Sequence, residues 1–439
     1  MQNDAVSFSN NACEALDRGE TEPAICLARE AVRRDPALWQ PVHTLALAFD
    51  RLQRYDAAIA CYRQTLALCP AHPQARVQLT AALVHEGRAG EAEAESLDLL
   101  RRAASDSGAW CNLGLALRQQ CRTEEAIAAY RTGLRIVPDD ARLHWNLSLA
   151  LLALGRFEEG WREYEWRVAA GITPPSLRDE PLWRGEPLQG KSILLETEQG
   201  LGDTIQFLRY APWLERQGAR VFVDCQLRLR PLCRRWIAQA AIDYDYRVPL
   251  MSLPLITNGV LPDSFPYLEA RPTDLGTGFK VGLCRAGNPA NPNDRFRSIP
   301  AHLLEPLRQV SGVRWIELEQ KPGECASNSC AESIEQFAST LRSLDLVITV
   351  DTLAAHLAGA LGRPVWTLLN FAPDWRWLEK GDSTAWYPTM RLFRQPRAGD
   401  WQSVVAEAVA ALLFTLRSQT LLESPPVSRK MPESDMRLD

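Results

Sequence analysis

The chain has 439 residues, 46% of them apolar and 23% charged, proportions that exclude global disorder and fibrous low-complexity protein. Its net charge of −5 gives no electrostatic reason to expect nucleic acid or an anionic membrane surface as a partner. At roughly 150 residues per domain, the length leaves room for about three.

The N-terminus, MQNDAVSFSN, has no basic end followed by an apolar core, so no signal peptide is read. Apolar runs such as 147–154 are too short to cross a bilayer. A cytoplasmic protein with no membrane span is therefore expected. The 11 cysteines are scattered without a CxxC pair, which fits reduced, mostly buried thiols. The six histidines do not cluster with them, so no metal site is expected.

The first third repeats itself. Ala24, Ala58, Ala92, Ala126 and Gly160 are spaced 34 residues apart, and Pro36, Pro70 and Pro138 keep the same frame. Between them, Trp110, Leu113, Gly114, Leu117, Ala126, Tyr130, Gly133 and Pro138 alternate large and small residues in a fixed order. Small residues let two antiparallel helices approach, large ones fill the gaps, and proline ends the second helix. This pattern resembles the tetratricopeptide repeat. It implies about five stacked helix pairs over residues 5–170. The superhelix would offer a concave groove to a protein or peptide, or would serve only to stiffen or dimerise the chain.

Residues 171–189 are rich in proline and polar residues and read as a linker. A strand at 192–196, the glycine loop EQGLGD, a helix over 204–217 and a strand at 219–224 follow, which is a parallel βαβ unit. This first α/β stretch is taken as 190–276. Its later part holds β-like pieces, IDYDYRV and SLPLIT. A second α/β stretch, 277–418, has strands predicted at 280–285, 313–320, 345–350, 364–370 and 390–393. Its helices are predicted near 301–309, 333–343, 352–361 and 401–418. The tail 419–439 reads as disordered.

In open parallel sheets, ligands bind at the carboxyl ends of strands, so residues just after strands are the candidates. Gly200 and Gly202 allow a tight turn and close backbone approach, and Asp203 stands at a helix start, where it can face a cleft or simply cap the helix. Asp351, Thr352 and His356 follow an apolar strand. A helix start of this kind suits a diphosphate, but capping plus a half-buried histidine explains the same residues. Arg285, Asn288 and Arg297 lie in a loop that can hold phosphate oxygens or be a solvated surface. Trp375 and Trp377 can stack on a base or sugar or plug a domain interface. Asp243-Tyr244-Asp245 matches the short DxD pattern of metal-dependent sugar transferases, a match that three letters produce readily by chance.

Together, ETEQGLGDTIQFLRYAPWL, GNPANPNDRFRSIP, VDTLAAHLAGALGRPVW, APDWRW and WYPTMRLFRQP resemble bacterial tetratricopeptide proteins carrying a glycosyltransferase-like module. That module is similar to the ADP-heptose:lipopolysaccharide heptosyltransferases. The domain order is similar to that of the protein O-GlcNAc transferases. The resemblance implies a multidomain chain, an all-α tetratricopeptide superhelix followed by an α/β GT-B-like module of two Rossmann-like domains. It implies Asp203 as general base, Arg297 on the phosphates, and Asp351, Thr352 and His356 on the donor. The segment KPGECASNSCAES stands where a nucleotide-contacting loop is expected.

The expected function is metal-independent, inverting transfer of a sugar from a nucleotide-diphosphate donor to a protein or peptide recruited by the repeats. The nucleotide sugar is a co-substrate, and no cofactor is expected. Two alternatives stay open: a saccharide or glycolipid acceptor, and a non-catalytic scaffold built on a degenerate transferase module.

Overall fold

The computed structural model describes residues 2–240, 242–289, 291, 293–318 and 331–423. Five antiparallel helix pairs open the chain: α1 Gln2–Asp17 with α2 Thr21–Arg34, α3 Trp39–Arg51 with α4 Tyr55–Leu68, α5 Pro73–His85 with α6 Ala89–Arg102, α7 Ser107–Gln119 with α8 Thr123–Ile136, and α9 Ala141–Ala153 with α10 Phe157–Tyr164. The small residues do what their spacing indicates. Ala24, Ala58, Ala92 and Ala126 are fully buried. A side chain on Gly114 would run into the ring of Tyr130, and one on Gly133 would stand 2.7 Å from Leu143.

Each pair turns at one corner residue with positive φ: Gly19, Gln53, Gly87, Cys121 and Gly155. An arginine follows each of the last four corners, and three of them join ion pairs. Arg88 holds Glu91, Arg122 holds Glu125 and, one repeat back, Glu93, and Arg156 holds Glu159. The stack is thus fixed by van der Waals fit inside and by charge at its corners.

After the repeats, residues 171–189 form no helix or strand but pair with the edge strand of the first sheet through Leu182 and Arg247, with Trp183 and Leu188 buried. The sheet has three parallel strands in the order β2-β1-β3: β1 Ser192–Glu196, β2 Arg220–Asp224 and β3 Tyr246–Pro249. The helix predicted over 204–217 is two, α11 Leu201–Phe207 and α12 Tyr210–Arg216. Pro212 explains the break, because its ring clashes with the carbonyl four residues back and it donates no hydrogen bond. SLPLIT is not β-like. It forms a 3-10 turn and α13 Leu253–Ile256, with Pro254 in the first turn, where a missing N–H does no harm.

The second sheet has five parallel strands in the order β5-β4-β6-β7-β8. Its elements are β4 Phe279–Cys284, the one-turn α14 Asp294–Arg297, α15 Glu305–Arg308, β5 Val313–Glu317, α16 Ala331–Ser343, β6 Leu346–Val350, α17 Leu353–Ala360, β7 Val365–Leu369, β8 Met390–Arg394 and α18 Trp401–Glu423. The last helix passes the predicted end at 418 and runs to Glu423. Most of KPGECASNSCAES and residues 424–439 lie outside the described residues. One apolar core runs from Trp161 and Tyr164 of the last repeat, through β1 and α11, to α17 and β7. A second lies between β4, β6, β7 and α18.

The corner position generates a test. A left-handed backbone costs a non-glycine residue about 1–2 kcal/mol, and Gln53 adopts it where the sister corners 19, 87 and 155 use glycine. Gln53→Gly is expected to raise the unfolding free energy by about 1 kcal/mol in urea titrations. Cys121→Gly is expected to gain less, because the Cys121 thiol also meets the Phe371 carbonyl at 3.2 Å. A destabilised Gln53→Gly would show that side-chain contacts outweigh backbone strain.

Candidate functional site at the facing sheet edges

The glycine loop leaves the carboxyl end of β1. Asp203, third residue of α11, turns back and accepts the Gly200 N–H at 2.8 Å, so it caps the helix as one sequence reading allows. Its other carboxylate oxygen is ion-paired with Arg376 of the second α/β stretch. Gly202 is required for close approach, but to protein: a Cβ there would stand 2.8 Å from His356 Cδ2. Helix α11 therefore lies directly on α17.

The strand order reverses between β4 and β6, the position at which open parallel sheets form a ligand crevice at their carboxyl ends. Asp351 and Thr352 sit there. Thr352 caps α17, its hydroxyl accepting the Ala354 N–H at 3.3 Å and lying 3.1 Å from Thr349 Oγ1. His356 is buried, with Nδ1 2.9 Å from the Tyr387 hydroxyl, Nε2 3.9 Å from Asp351, and its ring stacked on Trp377 at 5.4 Å. Arg297 pairs with Asp294 at 3.1 Å, yet its charge still reaches Asp351 and His356. Arg285 donates to the Ile299 carbonyl at 3.3 Å, and the Asn288 carbonyl accepts the Asn291 N–H at 2.9 Å. These two residues shape the loop after β4.

Sequence reasoning missed the centre of the site. Arg376, 7% exposed, donates to Asp374 at 2.6 Å, to Gln206 at 2.6 Å and to Asp203. Two of those partners belong to α11, across the boundary between the α/β stretches. Arg209 makes a second crossing. Its guanidinium lies 5.5 Å from the rings of Tyr267 and Trp386 and 5.6 Å from Tyr387, and it donates to the Trp386 carbonyl.

The two tryptophans require a correction. Trp375 is edge-on to Trp161 of the last repeat at 5.2 Å, and Trp377 is fully buried over His356. Trp375 plugs the interface with the last repeat, Trp377 is packed inside its own stretch, and at 1% and 0% exposure neither offers a face to a base or sugar. The DxD match also has a structural explanation. Asp245 accepts Ser192 N and Oγ at 2.8 Å each and pairs with Lys191 at 2.9 Å. It sits at the amino end of β1, opposite the crevice.

The last repeat is clamped to the glycine loop. Arg167, 1% exposed, donates to Glu198 at 3.0 and 3.1 Å, to Glu165 at 2.8 Å and to Ser252 at 2.7 Å, while the Tyr164 hydroxyl meets Gln199 at 3.3 Å.

The charges follow from this packing. Burial, then the neighbouring charge of Asp374, pushes the Asp351 carboxyl up from 3.8 to about 6. Burial, then the cation of Arg376, pushes His356 down from 6.5 to about 3, so its ring is neutral. Burial opposes ionisation of Asp374, but the charge and hydrogen bonds of Arg376 outweigh it and hold the carboxyl below its usual range. Among the described residues, no cluster of His, Cys, Asp and Glu is arranged to hold a metal ion, and no helix is long and apolar enough to cross a membrane.

Comparison with known proteins decides the first third. Residues 43–108 match a tetratricopeptide repeat family and residues 114–155 a TPR repeat family. The N-terminal helices are tetratricopeptide repeats. Over 441 aligned positions the chain is 28% identical to a protein named FlbA from Caulobacter vibrioides, covering 84% of this chain and 72% of that protein. It is 28% identical over 114 residues to a peroxisomal targeting signal receptor of Eremothecium gossypii, covering 25% of this chain and 20% of the receptor. Solved structures with likeness include residues 41 to the end of MamA from Desulfovibrio magneticus RS-1, at 22% identity and TM-score 0.34, over 38% of this chain and 94% of that one. Another is YrrB, described as a TPR protein with an unusual peptide-binding site, at 16% identity and TM-score 0.33, over 38% and 86%.

Two measurements test this site. Arg376→Met leaves Asp203 and Asp374 without their shared cation. Removing one member of a buried ion pair costs about 3–5 kcal/mol, and the low end applies because Asp374 keeps solvent contact. A variant within about 1 kcal/mol of wild type in chemical denaturation would show that the two carboxylates do not need it. The second test is titration. A carboxyl raised to about 6 contributes stability that is full below about 3.8 and is lost as pH rises through about 6. Between about pH 4 and pH 8, Asp351→Asn should therefore gain in stability relative to wild type. A constant difference across that window would give Asp351 ordinary acidity. The lowered pKa of His356 acts in the other direction, its contribution being lost as pH falls from 6.5 through about 3.

Proposed function

We propose that the chain is a glycosyltransferase whose two α/β stretches are Rossmann-like halves of a GT-B-like module. It moves a sugar from a nucleotide-diphosphate donor, without metal and with inversion, to a protein or peptide recruited by the tetratricopeptide groove. One observation carries this reading. Asp203, just after the glycine loop of one parallel sheet, pairs with Arg376 of the other stretch, and its neighbour Gly202 packs on His356, which lies 3.9 Å from Asp351, both of them within the field of Arg297.

In this mechanism Asp203 keeps one oxygen on the Gly200 N–H, which orients the carboxylate. Its other oxygen exchanges Arg376 for the acceptor hydroxyl and takes that proton. The acceptor oxygen then forms a bond to the anomeric carbon from the face opposite the leaving group. The bond from that carbon to the diphosphate breaks, and the nucleotide diphosphate leaves with the electron pair. Arg297 and the N-terminus of α17 stabilise the charge that develops on it.

A second reading has its own observation. Gly202 against His356 leaves no room for a side chain where the two stretches meet, as a scaffold with a degenerate module would have it. Thermal unfolding with ADP, UDP, GDP and dTDP and their sugars separates the two. A ligand at about 100 times its Kd adds about 2.7 kcal/mol, a shift of several degrees. One nucleotide is expected to give that shift and to lose it in Arg297→Ala. With that donor, Asp203→Asn is expected to bind normally and transfer about 10²- to 10⁴-fold more slowly. No shift with any nucleotide supports the scaffold. Wild-type rates in Asp203→Asn remove Asp203 as the base.

A further inference from the structure

The one-turn helix Asp294–Arg297 presents two faces to two parts of the molecule. On one face, Asp294, 8% exposed, accepts Arg297 Nε at 3.1 Å and the Ser298 hydroxyl at 2.8 Å. Both side chains crowd Gly287, where a Cβ would stand 2.8 Å from the Arg297 guanidinium. The charge of Arg297 on this face is felt by Asp351 and His356.

On the other face, Arg295 and Phe296 reach the third repeat. Arg295 donates to Glu86 at 2.9 Å, and its guanidinium lies 5.6 Å from the Tyr55 ring and 4.7 Å from the Phe296 ring. Phe296 lies over the corner Gly87, where a Cβ would stand 2.7 Å from the ring. Tyr55 in turn stacks on His85 at 5.0 Å. An exposed ion pair alone holds little, but here it is joined by two ring contacts and by the fit of Phe296 on a corner without a side chain.

We infer that Arg295 and Phe296 are positioning residues, which hold the one-turn helix against the third repeat and thereby set Arg297 for the donor diphosphate. The inference rests on the transferase reading above and adds a dependence that reading does not contain: donor affinity is controlled from the repeat array. Three consecutive side chains divide the work, with Arg297 facing the crevice and Arg295 and Phe296 anchored outside it. Coupling of this kind is reciprocal, so a donor that engages Arg297 also tightens the hold of the loop on the third repeat.

The test uses the full chain and two readouts. Hydrogen exchange over residues 285–299 is compared in wild type, Glu86→Gln, Arg295→Ala and Phe296→Ala, and Kd values are measured calorimetrically for ADP, UDP, GDP and dTDP. The variants are expected to unfold near the wild-type temperature, to exchange faster in this loop, and to bind the preferred nucleotide at least about five-fold more weakly. Glu86→Gln with Arg295→Ala should be no worse than either alone, since both remove one interaction. Glu86→Arg with Arg295→Glu should recover protection, which a general loss of folding would not allow. If wild type binds a nucleotide and the variants bind it equally well, the inference fails and the transferase reading stands. If wild type binds none of the four, the reading fails and takes the positioning role with it. Unchanged exchange in Glu86→Gln and Arg295→Ala overturns the clamp whatever the nucleotides do.

Discussion

A nearly buried guanidinium must find acceptors and counter-charge, and Arg376 finds them on both sides of a boundary. Asp374 comes from its own turn, while Asp203 and Gln206 come from α11 of the other sheet. Much of the centre follows from that demand. Helix α11 is drawn onto α17 until only a glycine fits at 202. His356, pressed between α11, Trp377 and Tyr387, stays neutral beside the cation. Asp351, buried and facing the negative Asp374, holds its proton more tightly than a free carboxyl. One charge thus shifts the proton affinities of Asp351, His356 and Asp374, and through Asp203 it also ties the two α/β stretches together.

The sequence makes some of this legible and hides the rest for physical reasons. The repeats show because the same packing problem is solved five times at one period, so Ala24, Ala58, Ala92 and Ala126 speak for one another. The strands show because runs such as LVITV are apolar on both faces, as buried parallel strands must be. Pro212 and Pro254 mislead because proline breaks a helix in one place and begins one in the other, and only the surrounding hydrogen bonds distinguish them. Arg376 does not show, because its partner Asp203 lies 173 residues away and no spacing rule reaches that far. Of the segment APDWRW the tryptophans attract attention, yet they serve as packing, and the arginine between them makes the polar contacts.

Function in this chain is distributed differently from its sequence order. The glycine loop is bound to the last repeat through Glu198 and Arg167, and to the second sheet through Asp203 and Arg376. The turn carrying Arg376 also touches the repeats through Trp375 and Trp161. Repeats, first sheet and second sheet therefore meet around one short loop. The apolar core agrees, since it passes through all three without interruption.

That arrangement makes the repeat array a splint. It is fastened to the first sheet at Arg167 and to the second at Cys121, Thr123 and Trp161. The two α/β stretches cannot part while all of these fastenings hold and the superhelix keeps its curvature. Parting them means bending an elastic stack of ten helices or peeling it from one sheet. The stiffness of that stack, set by methyl-sized gaps between its helices, therefore sets the mechanical resistance of the crevice many residues downstream.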